Sequence, residues 1–215
     1  MEAWLTLFRA AVQVMDAAGE HGPADEWTVG GGTMLWRRYR HRRSKDIDVF
    51  LTHPQHLAAL SPRLNAATER LLDARSGSYT EQSNFLKLTL PEGDVDFVVA
   101  PHLLTPFAMP DHIDGRAVMV ETPAEILAKK VLYRAADFTA RDLFDLAFLI
   151  ENGEAVKLMA HRSVYLPKLR LIVQRLRTNA APLRRSFAAI EAEDYTAGFD
   201  RCVEAVAGFV AENGG

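Results

Sequence analysis

The segment SKDIDVFL, at residues 44–51, constrains the fold more than any other feature of the sequence because its polar and apolar residues alternate. Such alternation predicts a β-strand with one face in the core. Residues i and i+2 of a strand point to the same face, about 6.5 to 7 Å apart, so Asp46 and Asp48 are predicted to present two carboxylates side by side. Adjacent anions repel each other, and a divalent cation would compensate them. The alternative is an edge strand with a polar face.

A third carboxylate, Asp96, lies in the strand-like run VDFVVA. This run follows a second one, FLKLTL, and the intervening PEGD predicts a hairpin with a four-residue turn. Asp94 then falls in the turn, which leaves Asp96 as the candidate. Carboxylates on neighbouring strands could hold paired Mg²⁺ or Mn²⁺ ions, which suit phosphoryl transfer. We therefore predict that Asp46, Asp48 and Asp96 are metal ligands and catalytic residues, unless Asp96 is a solvent-facing hairpin residue.

A glycine-rich turn precedes the aspartate segment. The residues Gly30-Gly31-Gly32-Thr33 follow a predicted strand at 27–29 and open a predicted helix at 33–40. Glycines allow the backbone to approach a ligand closely, and the free amides of a helix N-terminus attract phosphate. Gly31, Gly32 and Thr33 are thus predicted to bind a nucleotide, although the run could also be only a flexible turn.

The order of strand, glycine turn and D-x-D strand resembles the polymerase-β-like nucleotidyltransferase superfamily, and more narrowly the AbiEii family of toxin nucleotidyltransferases. The resemblance covers about residues 27–150 and leaves the last 60 or so unmatched. The matching residues are Gly31-Gly32-Thr33, the segment Arg42-Arg43-Ser44-Lys45-Asp46-Ile47-Asp48, and the later segments ETPAEILAKKVL and RDLFDLAFL.

The resemblance implies a fold and an activity. We expect an α+β protein, with a nucleotidyltransferase core of mixed sheet and flanking helices over residues 1–120. A helical region over 121–215 would complete the active site. The implied reaction is the Mg²⁺- or Mn²⁺-dependent transfer of a nucleotide from a nucleoside triphosphate to RNA, at the 3′ end of tRNA, by a toxin with a cognate antitoxin. Arg43, nearest the aspartates, and Ser44 are further expected to bind the nucleotide.

The segment ETPAEILAKK predicts a helix with Thr122 as N-cap, Pro123 at its first position and Glu125 in a capping box. Its spacing places Lys130 on the inward stripe and Lys129 elsewhere. The resemblance implies that Lys130 is the family's catalytic-site lysine, where it would also contact the nucleotide. A lysine at the edge of the core is the alternative.

The segment TARDLFDLAFLI predicts a second capped helix, with Thr139 as N-cap and Asp142 in the capping box. Asp145 lies on a helix that is apolar nearly all round, and a buried carboxylate needs a cationic partner. We expect that partner to be Lys130 or Arg141. The resemblance also implies a functional aspartate at Asp145.

The net charge is −3, so an RNA-binding surface requires that positive charges be segregated. One basic cluster is RRYRHRRSK at 37–45, and a second runs from Lys168 to Arg185. Both could instead be solvated helix faces. The residues predicted to bind RNA are Arg37, Arg38, Arg40 and Arg42.

The remaining features of the sequence concern disulfide bonds, membrane spans and cellular location. A single cysteine excludes an internal disulfide, and no apolar run approaches the roughly 20 residues that span a bilayer. We expect a cytoplasmic protein without membrane association. Two other functions remain open: a nucleotidyltransferase acting on a protein or small-molecule hydroxyl, and a non-catalytic protein that binds nucleotides or RNA.

Overall fold

A computed structural model describes residues 2–23 and 26–214 of the chain. The residues form two compact units. The sheet unit comprises Met1–Arg37, Ser44–His102 and Ala108–Glu121, and the helical unit comprises Arg38–Arg43, Leu103–Phe107 and Thr122–Gly215. The division into domains at residue 120 stays a prediction. The compact units differ from it chiefly by two short segments that belong to the helical unit.

The sheet unit contains a seven-stranded sheet in the order β3-β4-β5-β2-β1-β7-β6. The pairs β1–β7 and β2–β5 are parallel, and all other neighbouring pairs are antiparallel. The predicted mixed sheet of an α+β fold is therefore confirmed. The strands are β1 Trp27–Gly30, β2 Ile47–Leu51, β3 Ser78–Gln82, β4 Phe85–Leu90, β5 Gly93–Val99, β6 Ala108–Ile113 and β7 Arg116–Glu121.

The hairpin of β4 and β5 turns more tightly than predicted. Gly93 pairs with Leu90 and Asp94 pairs with Thr89, so the turn consists of two residues and Asp94 belongs to the strand. Two strands escape prediction altogether. All but one residue of β3 are exposed, which leaves no alternation to detect, and β6 contains Pro110, a residue that argues against a strand.

Four helices begin in the part of the chain that precedes β3: α1 Ala3–Ala17, α2 Gly31–Tyr39, α3 Pro54–Leu60 and α4 Ala66–Ala74. The helical spacing of apolar residues over about 55–73 predicts one helix from sequence. That prediction is wrong, because the chain becomes extended at Ser61 and Asn65 caps a new helix. The buried Asn65 side chain accepts hydrogen bonds from the main-chain N–H groups of Ala67 and Thr68. It also donates to the main-chain oxygens of Val14 and Ala59.

The helical unit contains α5 Pro123–Arg134, α6 Ala140–Glu151, α7 Arg162–Thr178, α8 Ala180–Phe187 and α9 Phe199–Glu212. Both predicted N-caps are confirmed, but the capping box predicted at Glu125 is wrong, because the Glu125 carboxylate accepts from the main-chain N–H groups of Leu103 and Leu104 instead. The Thr122 hydroxyl accepts from the N–H of Glu125, and Thr139 forms a reciprocal capping box with Asp142. Among residues 2–23 and 26–214, no helix combines the length and apolar character needed to cross a bilayer.

Asn65→Ala should lower the free energy of unfolding by about 2 kcal/mol, since it removes the cap of α4 and leaves buried carbonyls without their donor. Urea unfolding of the purified protein measures this. Asn84→Ala is the control because Asn84 is exposed, and it should change stability by less than about 0.5 kcal/mol. Equal losses in the two variants would contradict the role assigned to Asn65.

Candidate active site

Asp48 and Asp96 lie side by side on neighbouring strands. The parallel register of β2 and β5 pairs Asp48 with Asp96, and on its other side Asp48 pairs with Gly30 of β1. Both side chains are partly exposed on one face of the sheet, because the residues that flank them point into the core. The flanking residues, all fully buried, are Ile47, Val49, Val95 and Phe97.

Asp46 lies just before β2 and is held by two hydrogen bonds. Its Oδ1 accepts from the main-chain N–H of Asp94 at 3.1 Å. Its main-chain oxygen accepts from the hydroxyl of Thr33 at 2.5 Å. Burial raises the pKa of Asp96, and the charges of Asp94 and Asp46 raise it further against the opposing effect of Lys87. Two of the predicted metal ligands therefore lie at the start of β2, and the third lies beside Asp48 in the middle of β5.

The glycine turn lies directly beside the Asp48 carboxylate. Gly31, the first residue of α2, has a φ of +72°. A Cβ atom at this position would lie 1.8 Å from Oδ2 of Asp48. The absence of a side chain at Gly31 thus lets the start of α2 approach the Asp48 carboxylate, and a helix of nine residues begins at the site.

Two of the residues predicted to bind the nucleotide have structural roles. Thr33 is fully buried, and its hydroxyl lies 3.0 Å from Oγ of Ser44 and donates to Asp46. This pair ties the first turn of α2 to the segment that carries the aspartates. We infer that Thr33 positions Asp46 instead of touching a ligand.

Lys87 is a component of the site that the sequence analysis missed. It lies on β4 directly opposite Asp96. Its Nζ donates to Oδ2 of Asp94 at 2.7 Å and lies 3.3 Å from Oδ1 of Asp96. A two-residue turn in the hairpin predicts this pairing, whereas a four-residue turn pairs Lys87 with Val98 instead.

The carboxylate cluster fits a hard divalent cation such as Mg²⁺ or Mn²⁺. Asp46, Asp48 and Asp96 supply oxygen ligands, which these ions prefer. Oδ1 of Asp96 is buried and has no hydrogen-bond partner among the described residues, although the ammonium of Lys87 is nearby. Lys87 therefore compensates part of the charge of Asp96, and a divalent cation held by the carboxylates would compensate more of it.

A second group of charges lies inside the helical unit, around Asp145. This carboxylate is fully buried. Arg42 donates to both of its oxygens, from Nε at 2.6 Å and Nη2 at 2.7 Å. Nε2 of His41 lies 2.8 Å from Oδ1, and Nζ of Lys130 lies 3.1 Å from Oδ2. Burial raises the pKa of Asp145, but the charges of Arg42 and Lys130 outweigh it and hold the pKa well below its usual range.

Lys130 also lies 2.6 Å from Oδ1 of Asp142. The predicted pairing of Asp145 with Lys130 is therefore observed, whereas the other expected partner, Arg141, is exposed. The orientation predicted for Lys129 is wrong, because its side chain is also buried, with Nζ 3.7 Å from Glu125. Two successive lysines of a helix can both be buried when each has an acidic partner. Helical spacing alone does not predict these partners.

The four arginines predicted to bind RNA lie in different environments. Arg42 is 3% exposed, and its guanidinium group is hydrogen-bonded to Asp145. We therefore exclude it from an RNA-binding surface. Arg37 is bound to Asp111 at 2.5 Å. Arg38 and Arg40 are exposed. Arg43, predicted to contact the nucleotide, is exposed as well, and its Nε lies 3.1 Å from Glu193.

A sequence model of the family described as "Nucleotidyl transferase AbiEii toxin, Type IV TA system" matches residues 13–209. No curated protein matches the sequence. Three solved structures are similar at low identity. JHP933 from Helicobacter pylori is 13% identical, with a TM-score of 0.47 and coverage of 99% of this chain and 92% of that one.

The nucleotidyltransferase toxin MenT4 (Rv2826c) from Mycobacterium tuberculosis H37Rv is 16% identical, with a TM-score of 0.42 and coverage of 97% of this chain and 81% of that one. The antibiotic-resistance factor ANT(2″)-Ia is also 16% identical, with a TM-score of 0.47 and coverage of 84% and 95%. At these scores we base no argument on the structural similarities.

Gly31→Ala should weaken Mn²⁺ binding by pushing Asp48 away, in addition to a backbone cost of about 1 kcal/mol at positive φ. Gly115→Ala is the matched control, since Gly115 has a φ of +79° and open space around a Cβ atom. Electron paramagnetic resonance titration of Mn²⁺ and urea unfolding separate the two effects. Unchanged Mn²⁺ affinity in Gly31→Ala would show that Asp48 is not a ligand.

Asp145→Asn should lower the free energy of unfolding at pH 7 by about 3 to 5 kcal/mol, because the buried Arg42 loses its counter-charge and Lys130 loses one of its two. The pKa of Asp145 is depressed in the folded state, so the carboxylate stabilises the wild type above the unfolded-state value of about 3.9. This contribution is lost as the pH falls below that value. Urea unfolding from pH 7 to pH 3 should therefore show a flatter pH dependence in Asp145→Asn than in the exposed control Asp137→Asn.

Proposed function

This chain belongs to the AbiEii family of nucleotidyltransferase toxins from type IV toxin–antitoxin systems, and on that premise we propose that it transfers a nucleoside monophosphate from a nucleoside triphosphate to RNA. The proposed acceptor is the 3′ end of tRNA, and the proposed cofactor is Mg²⁺ or Mn²⁺. Membership in the family implies a nucleotide substrate and a cognate antitoxin. We place the reaction in the cytoplasm, where tRNA is available.

The observation that carries this proposal is the pairing of Asp48 with Asp96 on adjacent parallel strands, with Asp46 close by. Two like charges at directly opposed positions destabilise a sheet, so their presence points to a cationic ligand. A bound Mg²⁺ would neutralise charge on the phosphates and on the departing pyrophosphate. Asp46, Asp48 and Asp96 would hold the ion.

The chain's own residues supply orientation and proton transfer. The N-terminus of α2, which starts at Gly31, offers main-chain N–H groups to the phosphates. An RNA hydroxyl then attacks the α-phosphorus, the new P–O bond forms, and the bond to the bridging oxygen breaks with release of pyrophosphate. Asp96 is proposed to accept the hydroxyl proton, a role that its raised pKa favours.

Catalytic roles for Lys130 and Asp145 stay proposals. The structure offers another function for both, since each compensates the charge of the other within the helical unit. An anionic ligand that contacts Lys130 would compete with Asp142 and Asp145. By contrast, Arg38, Arg40 and Arg43 are exposed, so phosphates of an RNA acceptor can reach them, and this basic surface supports RNA over an uncharged acceptor.

Purified protein incubated with each labelled triphosphate and total RNA should label tRNA. Asp46→Asn and Asp48→Asn should each reduce labelling by more than about 100-fold, the upper cost of losing even an outer-shell partner of a metal site. Mn²⁺ binding should weaken in parallel. Asp73→Asn, an exposed aspartate on α4, should match the wild type.

Full activity of Asp48→Asn would contradict the metal site. Labelling of a protein or a small molecule, with no RNA labelled under any triphosphate, would transfer the proposal to a different acceptor and leave the family's nucleotidyl transfer intact.

A further inference from the structure

The helices α7 and α8 concentrate positive charge that the proposed site does not use. Residues 162–187 contain seven Lys and Arg residues and no Asp or Glu. The whole chain contains 25 basic and 28 acidic residues, so the remainder has 18 basic residues against 28 acidic ones. A segment with seven basic residues and no acidic one differs in charge from the rest of this chain, whose net charge is −3 overall. The segregation therefore calls for a physical explanation.

Most of these basic side chains reach solvent. Arg170, Arg177, Arg184 and Arg185 are exposed. The structure gives two of them partners: Arg170 donates to the main-chain oxygen of Gly214, and Arg184 forms an ion pair with an aspartate of α9. Arg177 and Arg185 form no ion pair with any residue of the described part of the chain. Their charges are compensated only by solvent ions, which a polyanion can displace.

A groove with a largely apolar floor lies on this surface beside arginines of α7. Its volume is about 320 Å³. Along α7, Arg170, Gln174 and Arg177 stand at helical positions i, i+4 and i+7, so their side chains share one face. Arg170 and Arg177 are about 10 Å apart along the helix axis, and both line the groove. The lining residues are Arg170, Val173, Gln174, Arg177, Thr178 and Val210.

The chemistry of the surface favours nucleic acid over protein. Six of the seven cations are arginines, whose planar guanidinium groups bind phosphate in a bidentate manner. A protein interface has an apolar centre with aromatic residues. The large hydrophobic residues exposed on α7 are only Val164 and Leu171, and neither is aromatic.

We propose that the exposed face of α7 and α8 is an RNA-binding surface, which contacts the phosphate backbone of the acceptor through Arg170, Arg177 and Arg185. This inference rests on the proposed function, since it takes the acceptor to be RNA. Phosphate contacts carry no sequence information, so the surface contributes affinity and orientation. Binding through it depends on salt because each contact releases counterions.

The test compares tRNA binding by the full chain at several salt concentrations, measured by filter binding. Arg177→Gln combined with Arg185→Gln removes two contacts. The slope of log affinity against log salt should therefore become shallower by about 1.4 to 1.8, at roughly 0.7 to 0.9 per contact. The matched control combines Arg63→Gln with Arg70→Gln, two exposed arginines of the sheet unit, and should retain the wild-type slope. Thermal unfolding confirms that both double variants are folded.

A second measurement separates the surface from the chemistry. Nucleotide transfer to a short oligonucleotide with the 3′-terminal sequence of tRNA should be equal in wild type and the α7–α8 double variant, while KM for intact tRNA should rise at least about tenfold. A wild-type slope in the double variant, or loss of antitoxin binding without loss of tRNA binding, overturns the RNA-binding surface and leaves the proposed function standing. If the wild type neither binds nor labels tRNA, both proposals fail together.

Discussion

The parallel pairing of β2 with β5 is the interaction on which the proposed site depends. It places Asp48 beside Asp96 at the centre of the sheet, where a like-charge pair is unfavourable. The surroundings reduce this cost in two ways: Lys87 provides a positive charge on the neighbouring strand, and Gly31 leaves room for the Asp48 carboxylate. The site therefore combines electrostatic strain in the free protein with a geometry that a divalent cation would stabilise.

In the helical unit, by contrast, buried acidic and basic side chains form ion pairs with one another. Asp142 and Asp145 share Lys130, Arg42 pairs with Asp145, and Arg134 pairs with Asp142 at the edge. Removing these groups from water costs several kcal/mol for each ion, and the hydrogen bonds among them recover it only when the geometry is good. Such a network contributes little net stability. It does specify which side chains of α5 and α6 face each other, because any other arrangement leaves a charge unpaired.

The length of the turn between β4 and β5 decides which residue of β4 lies opposite Asp96. Both PEGD as a four-residue turn and Pro91-Glu92 as a two-residue turn are compatible with a hairpin. The difference of two residues keeps Asp96 on the same face but moves its partner on β4 from Thr89 to Lys87. Face alternation was therefore sufficient to find Asp96, whereas finding Lys87 required the register. The same limit applies to β3 and β6, whose exposed residues carry no periodic signal.

Features that depend on neighbours within a few residues could be predicted from the sequence: the caps at Thr122 and Thr139, the glycine turn before α2, and the alternation around Asp48. They arise from main-chain hydrogen bonds and side-chain periodicity, which are local. The pairing of charges, by contrast, depends on tertiary packing. The sequence pattern predicts that Arg42 belongs to an exposed basic cluster. In the structure it is buried against Asp145, 103 positions away. Partners so distant along the chain are selected by packing and by the free-energy cost of leaving a buried charge unpaired. The spacing of residues predicts neither.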